Sequence, residues 1–337
     1  MSQSNSLSTA DADATSAALE ALNKMKQEKE AEKVLSGEDI TSLNKLLQWS
    51  TAHSDNPTSL NNEGRQKAVE KTQDQLDKDR AWLDQAFPDP FAEINELIRI
   101  LREDTPSQRA TVQILEGIQE YFMDLNFAIN IDKMGALEPV LNLTAAESSE
   151  VRAAAFWVIG SAMRDLQEVK ELVMERDGHK ALAEGLKDET GAVRAKAVMA
   201  SSALLRHSSP AVQNKFKEVG GTASLLALLS DENSQVRRRA RFFLQHARET
   251  GNPDFVRDLL DDQSCVASLS ASIEELDVDD VADVEAAVGA LGVLIETDKM
   301  GLLRLAPELP DVIDSLVSKC SDHDLRDLLR ELASQMD

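Results

Sequence analysis

Apolar residues in the middle of the chain recur with helical spacing in three successive blocks. Each block holds an apolar helical stretch, a short polar turn and a longer helical stretch that opens on a valine. The three valines are spaced by 42 and 43 residues: Val151, Val193 and Val236. Glycines that precede the first stretch of each block lie 43 residues apart: Gly135, Gly178 and Gly221. A period of this size, with two or three helices per unit, is typical of armadillo or HEAT repeats.

These glycines are predicted to occupy equivalent corners of the repeat, in the turn between a short first helix and the next one. Such a turn favours glycine because φ can be positive there without a steric penalty. The sequence therefore predicts an all-α fold, specifically an armadillo/HEAT-like α-solenoid in which each unit buries its apolar side against its neighbours.

The regions that flank the blocks differ in their apolar pattern. Residues 1–37 are polar and almost free of aromatic or branched apolar side chains, which predicts a disordered N-terminal arm. Residues 38–125 regain helical spacing, with helices expected at 80–87 and 91–101, and are predicted to form an N-terminal helical capping region. Three armadillo repeats are placed at 126–250. A divergent fourth repeat, with an acidic insertion at 277–283, and a C-terminal helical cap are placed at 251–337.

Composition and charge narrow the classes of partner. Aromatic residues make up only 4% of the chain, which favours helices over strands. The net charge of −24 repels phosphate backbones and anionic lipid, so neither nucleic acid nor a membrane is a predicted partner. No secretory signal and no membrane-length apolar stretch is visible, and the two cysteines fit a reducing compartment. We therefore expect a soluble, cytoplasmic protein and leave a nuclear pool open.

Against this negative background, SQVRRRARFFLQH places four arginines within five positions, from Arg237 to Arg241. If the valine that opens each long stretch faces the core, a count of about 100° per residue defines the opposite face, which would line the inner curve of a solenoid. On this face the count places small or apolar side chains, namely Ala153, Phe156, Gly160, Ala195, Val198 and Ser202. It also places polar ones there, namely Arg164, Arg206, Arg238, Arg241 and Gln245. The sequence thus predicts a basic concave groove for an acidic protein surface.

A plainer interpretation competes with this one. Arginines can pair with acids between repeats while their stems cover apolar surface. We favour that interpretation for Arg237 and Arg239, and partner binding for Arg238 and Arg241. Trp157 is left open between the groove and a half-buried core position.

The chain carries no recognisable catalytic, nucleotide-binding or metal-binding motif. Phosphate-binding loops, nucleophile elbows and zinc-binding His pairs are all absent, and the five histidines are scattered without ligand spacing. We therefore predict a non-enzymatic protein with no cofactor and no metal.

Several stretches, in the same order along the chain, resemble the armadillo-type nucleotide exchange factors of the 70-kDa heat-shock chaperones. They are KLLQWSTAHSD (45–55), RAWLDQAF (80–87), INIDKMGALEPVLNL (129–143), EVRAAAFWVIGSAM (150–163) and AVRAKAVMASSALLRH (192–207). Phe127 and Ile129 stand where the family usually has polar residues, and Thr144 stands where it has an apolar one.

The resemblance implies a monomeric binding protein whose concave face holds the ATPase domain of a cytosolic 70-kDa heat-shock chaperone and promotes ADP release. It also implies that the arm at 1–37 helps to clear polypeptide from the chaperone. Arg206 matches a family arginine as well as the inner face. The alternative is a general armadillo adaptor or scaffold, but the Asn of a peptide-gripping WxxxN ladder is missing: the pairs here are Trp157 with Ser161, Met199 with Ala203 and Phe242 with His246. An enzyme with an unrecognised site is a third, weaker alternative.

Overall fold

Every regular element that the structure describes is a helix. The computed structural model describes residues 90–103, 106–247 and 263–336. The arm predicted at 1–37, the predicted helix at 80–87 and the remainder of 38–89 lie outside the described residues. Within the described ranges the all-α prediction is confirmed.

The helices follow one another with short connections. The first five are α1 (Pro90–Glu103), α2 (Gln108–Tyr121), α3 (Leu125–Ala128), α4 (Leu137–Leu143) and α5 (Ser149–Met163). The next five are α6 (Gln167–Glu175), α7 (Gly178–Gly185), α8 (Gly191–Leu205), α9 (Pro210–Glu218) and α10 (Gly221–Ala227). A 3₁₀ turn (Leu228–Ser230) leads to α11 (Ser234–Ala247). The last four are α12 (Gln263–Glu274), α13 (Val281–Leu305), α14 (Leu309–Lys319) and α15 (His323–Met336).

The long helices of successive repeats form a continuous stack. Each packs against the next in the order α2, α5, α8, α11, α13 and α15. The shorter helices pack beside them, as α7 does on α8 and α10 does on α7. A helix in such a stack is covered on two sides, which is why α5 and α8 bury apolar residues around most of their circumference. This is the solenoid predicted from the repeat period.

The prediction that all three glycines adopt a positive φ in the turn of their repeat is correct for the first of them alone. Gly135 has the expected positive φ of 70°. In the next two repeats the left-handed residue is instead the one before the predicted glycine: Asp177 (φ 57°) and Gly220 (φ 77°). Gly178 and Gly221 are the first residues of α7 and α10, where they are needed for close packing rather than for φ. A Cβ on Gly178 would lie 2.5 Å from Val173 Cγ1, and one on Gly221 would lie 2.5 Å from Phe216 Cζ.

Gly221→Ala is therefore expected to lower the free energy of unfolding by about 1–3 kcal/mol, because the added methyl overpacks the buried Phe216 ring. Denaturant unfolding followed by circular dichroism measures the loss. Gly220→Asn serves as the control, since nothing lies within 4 Å of a Cβ there and asparagine tolerates the left-handed region. Adding Phe216→Leu to Gly221→Ala should recover part of the loss. An additive double variant would contradict the overpacking argument.

A ladder of buried ion pairs ties consecutive repeats together. The arginine that follows each opening valine reaches an aspartate of the next repeat: Arg152 to Asp188 at 2.7 Å, and Arg194 to Asp231 at 2.8 Å. Each guanidinium also donates to the two backbone carbonyls five and six residues before it, as Arg194 does to Asp188 and Glu189. The bond with Asp231 raises the pKa of Arg194. These arginines fix the register of the stack and are not available to a partner.

Arg237 continues this ladder, and its guanidinium lies 2.8 Å from Asp283. The structural role favoured for Arg237 from the sequence is therefore confirmed.

The acidic insertion lies where the sequence places it. α12 ends at Glu274 and α13 begins at Val281, so the insertion is the connection between these helices and the first turn of α13. None of the described helices combines the length and apolar character needed to cross a lipid bilayer.

Candidate partner-binding groove

The long helices line an open groove of about 700 Å³ along one side of the stack. Its walls come from α5, α8, α11 and the start of α13, with Met123 at one end and Ala282 and Ala286 at the other. Four arginines and one acid, Asp165, contribute to the lining: Arg164, Arg206, Arg238 and Arg239. The floor is apolar and includes Trp157, Met199 and Phe242. A cationic rim over an apolar floor suits an acidic protein surface.

Arg164 and Arg206 are placed by the same backbone feature at the ends of α5 and α8. Each is the C-cap in an extended conformation, with ψ of 119° and 123°. Each is followed by a left-handed residue, Asp165 (φ 60°) or His207 (φ 53°). The chain therefore leaves both helices in the same direction and brings both guanidinium groups to the groove.

Each of these two arginines is also fixed by a hydrogen bond at its helix end. The Arg164 guanidinium donates to the Met123 carbonyl at 3.2 Å. The Arg206 carbonyl accepts a hydrogen bond from the Lys170 ammonium. Lys170 is 3% exposed, and burial lowers its pKa, while the charge of Asp165 opposes this shift. Lys170 thus ties α6 to the end of α8 and positions Arg206.

Arg238 and Arg239 occupy the other end of the groove, on the first turns of α11. Arg238 forms a partly exposed ion pair with Asp280, 3.3 Å from Nη1 to Oδ1. Arg239 has no carboxylate partner among the described residues. Burial lowers its pKa, and the neighbouring charge of Arg238 lowers it further. Pairing with an acid, favoured for Arg239 from the sequence, is not what the described structure contains: Arg239 lines the groove.

Trp157 is a groove residue, which decides between the two interpretations left open by the sequence. The Lys196 ammonium lies over its ring, 3.3 Å from the centroid, in a cation–π contact. Burial, the charge of Arg239 and, in the opposite sense, the charge of Glu116 bring the pKa of Lys196 down to about 8. The ring forms part of the groove floor, and the lysine holds one face of it.

Five of the eight predicted site residues line the groove: Arg164, Arg206, Arg238, Gly160 and Ser202. The other three do not. Ala195 is 4% exposed, and Arg241 has no exposed surface and forms an ion pair with Asp283. Gln245 is half-buried, and its side chain fills the space beside Gly289 of α13. Phe156, which the same count put on the inner face, is also buried.

The errors at Phe156 and Arg241 share one cause, which is a rotation of the predicted face. Phe156, Val198 and Arg241 all follow their opening valine by five positions, and all are buried. The next position carries Trp157, Met199 and Phe242, which form the floor. The groove is therefore turned by roughly 60° from the face opposite the valine. Large apolar residues at this position in all three repeats are the available sequence signal, which the sequence analysis used for the groove only at Trp157.

Most of the groove lies in a segment that matches a known family model. Residues 127–244 match the sequence model of the SIL1/FES1/HPBP1 C-terminal domain. The match contains the floor residues and all four groove arginines, whereas Asp280 lies outside it. The family resemblance drawn from the sequence is thereby confirmed.

Three relatives of this chain are Hsp70 nucleotide exchange factors named FES1. The chain is 30% identical to that of Mycosarcoma maydis over 130 residues, 39% of this chain and 33% of the relative. It is 27% identical to that of Saccharomyces cerevisiae over 207 residues, covering 59% and 67%. It is 24% identical to that of Candida glabrata over 293 residues, covering 84% and 96%. The aligned part thus spans a third of the first relative's length and nearly all of the third's.

Solved structures with a similar fold are designed armadillo repeat proteins. One, named YIII(Dq)4CqI, is 17% identical with a TM-score of 0.56 and covers 72% of this chain and 100% of its own. Another, YIII(Dq.V1)4CPAF in complex with the peptide (KR)4, is 18% identical with a TM-score of 0.57 and covers 73% and 100%. At this identity the likeness establishes the armadillo fold alone. The solenoid class predicted from the sequence is confirmed.

The lowered pKa of Lys196 predicts a pH-dependent change in the fluorescence of Trp157. The cation over Trp157 should be lost with a midpoint near pH 8, because the folded-state pKa is about 8. The unfolded value is higher, so the unfolded chain binds more protons between these two values and stability should rise with pH across that window. Trp157 emission measured from pH 6.5 to about 9.5 tests this. Lys196→Met should abolish the transition while leaving the signals of Trp49 and Trp82 unchanged, and a transition that persists would assign it to another group.

Proposed function

We propose that this chain is a nucleotide exchange factor that binds the ATPase domain of an Hsp70-type chaperone in its concave groove and promotes ADP release. The observation that carries the proposal is the position of the groove. Its apolar floor and four arginines lie within the segment that matches the domain family of the exchange factors. The chain acts as a chaperone cofactor and itself makes or breaks no bond.

Exchange requires the groove to discriminate between two shapes of one partner. The factor must bind the arrangement of the ATPase domain that releases ADP more tightly than the arrangement that retains it. To weaken ADP binding by about a hundredfold, the exchange factor must bind the two arrangements with free energies that differ by roughly 2.7 kcal/mol. By linkage, bound ADP weakens the binding of the exchange factor to the same extent. A few central contacts can supply that amount.

The groove residues suit this task because their geometry is set before binding. The Arg164 side chain is hydrogen-bonded to Met123, and the backbone of Arg206 is held by Lys170. A guanidinium that is already oriented loses little entropy when it meets a carboxylate, and its planar fork can make two hydrogen bonds to it. The exposed Phe242 ring and Trp157 offer aromatic surface between the arginines. A partner whose ATPase domain changed its arrangement would lose the fit between its carboxylates and these arginines. This loss is the basis on which the groove distinguishes the two arrangements.

The remaining parts of the proposal concern the chain as a whole. We propose that it is a monomer, that it acts in the cytoplasm, and that residues 1–37 assist substrate release. Truncation of residues 1–37 should then leave ADP release intact and slow the release of a bound peptide from the chaperone.

Release of a fluorescent ADP analogue from a cytosolic Hsp70 tests the proposal. The full chain at saturating concentration should accelerate release by at least about tenfold. An unchanged rate at saturation would refute the exchange function. An unchanged rate together with measurable binding would instead favour a general armadillo adaptor.

A further inference from the structure

The acidic segment 277–280 sends one carboxylate to the end of the groove. Asp280 is the N-cap of α13, and its Oδ1 accepts the backbone N–H of Asp283 at 3.2 Å. The same oxygen accepts a hydrogen bond from Nη1 of Arg238 at 3.3 Å. One oxygen atom thus serves a helix cap and a groove arginine.

This ion pair is accessible, unlike the other pairs that link α11 to α13. The side chains of Arg238 and Asp280 are 31% and 34% exposed. By contrast, Asp283 is 3% exposed and is enclosed by Arg237 and Arg241. Ala282 and Ala286, on the turns that follow Asp280, line the groove itself. The Asp280 carboxylate therefore occupies Nη1 of Arg238, an atom for which a partner carboxylate bound to this arginine would compete.

The ion pair between Arg238 and Asp280 is also weak enough for a partner carboxylate to replace Asp280. A partly exposed ion pair with one hydrogen bond contributes little to stability, because water and salt screen it. The cap of α13 does not depend on it, since the backbone N–H of Asp283 keeps its acceptor when Arg238 turns away. The adjacent Arg239 has no such internal partner among the described residues, so one of two neighbouring groove cations is neutralised and the other is not.

We propose that Asp280 is an internal competitor that holds Arg238 until an acidic partner surface displaces it. The segment 277–280 thereby sets the affinity and the salt sensitivity of this end of the groove. Asp280 lies outside the family match at 127–244, so this control belongs to the C-terminal part of the chain. That the partner is an Hsp70 rests on the proposed function, whereas the competition for Arg238 does not.

Asp280→Asn removes the negative charge of the side chain and keeps the N-cap of α13. Asparagine retains a side-chain oxygen and caps helices as well as aspartate does. Asp279→Asn is the matched control, because Asp279 is exposed, lies in the same segment and gives the same change in net charge. Two probes are used with the full chain: a fluorescent ten-residue polyglutamate peptide and the ATPase domain of a cytosolic Hsp70.

Asp280→Asn should bind the polyglutamate probe about two- to fivefold more tightly than Asp279→Asn at low salt, as expected for the loss of an exposed competing pair. The difference should shrink at high salt, where surface charges are screened. In a double-mutant cycle, Arg238→Gln should remove the difference, because Asp280 then has no cation to compete for. The ATPase domain should report the same order of affinities.

Each other outcome counts against one specific claim. Equal or weaker binding by Asp280→Asn would overturn the proposal, since it would make Asp280 neutral or a support that orients Arg238. Binding of polyglutamate with the expected order, but no binding of the ATPase domain, would refute the proposed function and leave the competition in place. Failure of every variant to bind either probe would overturn both.

Discussion

Replacing Asp283 with alanine should lower the free energy of unfolding by about 3–5 kcal/mol, because it leaves a fully buried guanidinium without its carboxylate. Arg241 has no exposed side-chain surface, and its Nη1 lies 2.9 Å from Asp283 Oδ1. Its other two guanidinium nitrogens, Nε and Nη2, donate to the Leu229 carbonyl at 3.0 Å and to Ser272 Oγ at 2.8 Å. Burial lowers the pKa of Arg241, and Asp283 is the charge that opposes this shift. Without Asp283, the cation would be buried with neutral acceptors alone.

Urea unfolding followed by far-UV circular dichroism measures this loss. Asp279→Ala is the control, and its effect should stay within about 0.5 kcal/mol because Asp279 is exposed. The double variant Arg241→Met with Asp283→Leu should regain much of the stability, since apolar pairs of similar volume often replace buried ion pairs without loss. A loss below about 1 kcal/mol for Asp283→Ala would mean that α11 and α13 are not held together by this pair.

Reversing two groove charges, Arg206→Glu with Arg239→Glu, should weaken binding of the Hsp70 ATPase domain by at least about a hundredfold and abolish accelerated ADP release. Each arginine at the centre of an interface contributes a substantial part of the affinity, and the introduced carboxylates add repulsion against an acidic partner. Both positions line the groove, on different helices. Titration calorimetry and the nucleotide-release assay measure the effect, and circular dichroism should report unchanged helicity.

Two further variants separate this effect from net charge and from folding. Arg304→Glu with Arg330→Glu makes the same charge change at exposed positions outside the groove lining, and should alter affinity by no more than about twofold. Arg206→Gln with Arg239→Gln keeps polar side chains of similar length and should still lose most of the binding. If the distant reversal weakened binding as much as the groove reversal, the long-range field rather than the groove would hold the partner.

The helical pattern of the sequence predicts the wrong role for two arginines, Arg239 and Arg241. Arg239 was expected to pair with an acid and lines the groove, whereas Arg241 was expected to bind a partner and is buried. Both lie on α11, two positions apart, in a stretch where the helical count gives no absolute orientation. The choice between them depends on Asp283, which is 42 residues beyond Arg241 and belongs to the next repeat.

The sequence by itself determined the helical class and the repeat period. It also determined that the long helices that open on a valine share one side of the stack. These features follow from apolar periodicity and turn residues, which act over a few neighbouring positions. Tertiary structure alone decided how these helices are rotated and which arginines they expose. Each long helix packs between two others, so its buried arc is set by both neighbours and by ion pairs across the repeat boundary. Side chains that lie 36 to 46 residues apart in the chain make those contacts, and no local pattern encodes their geometry.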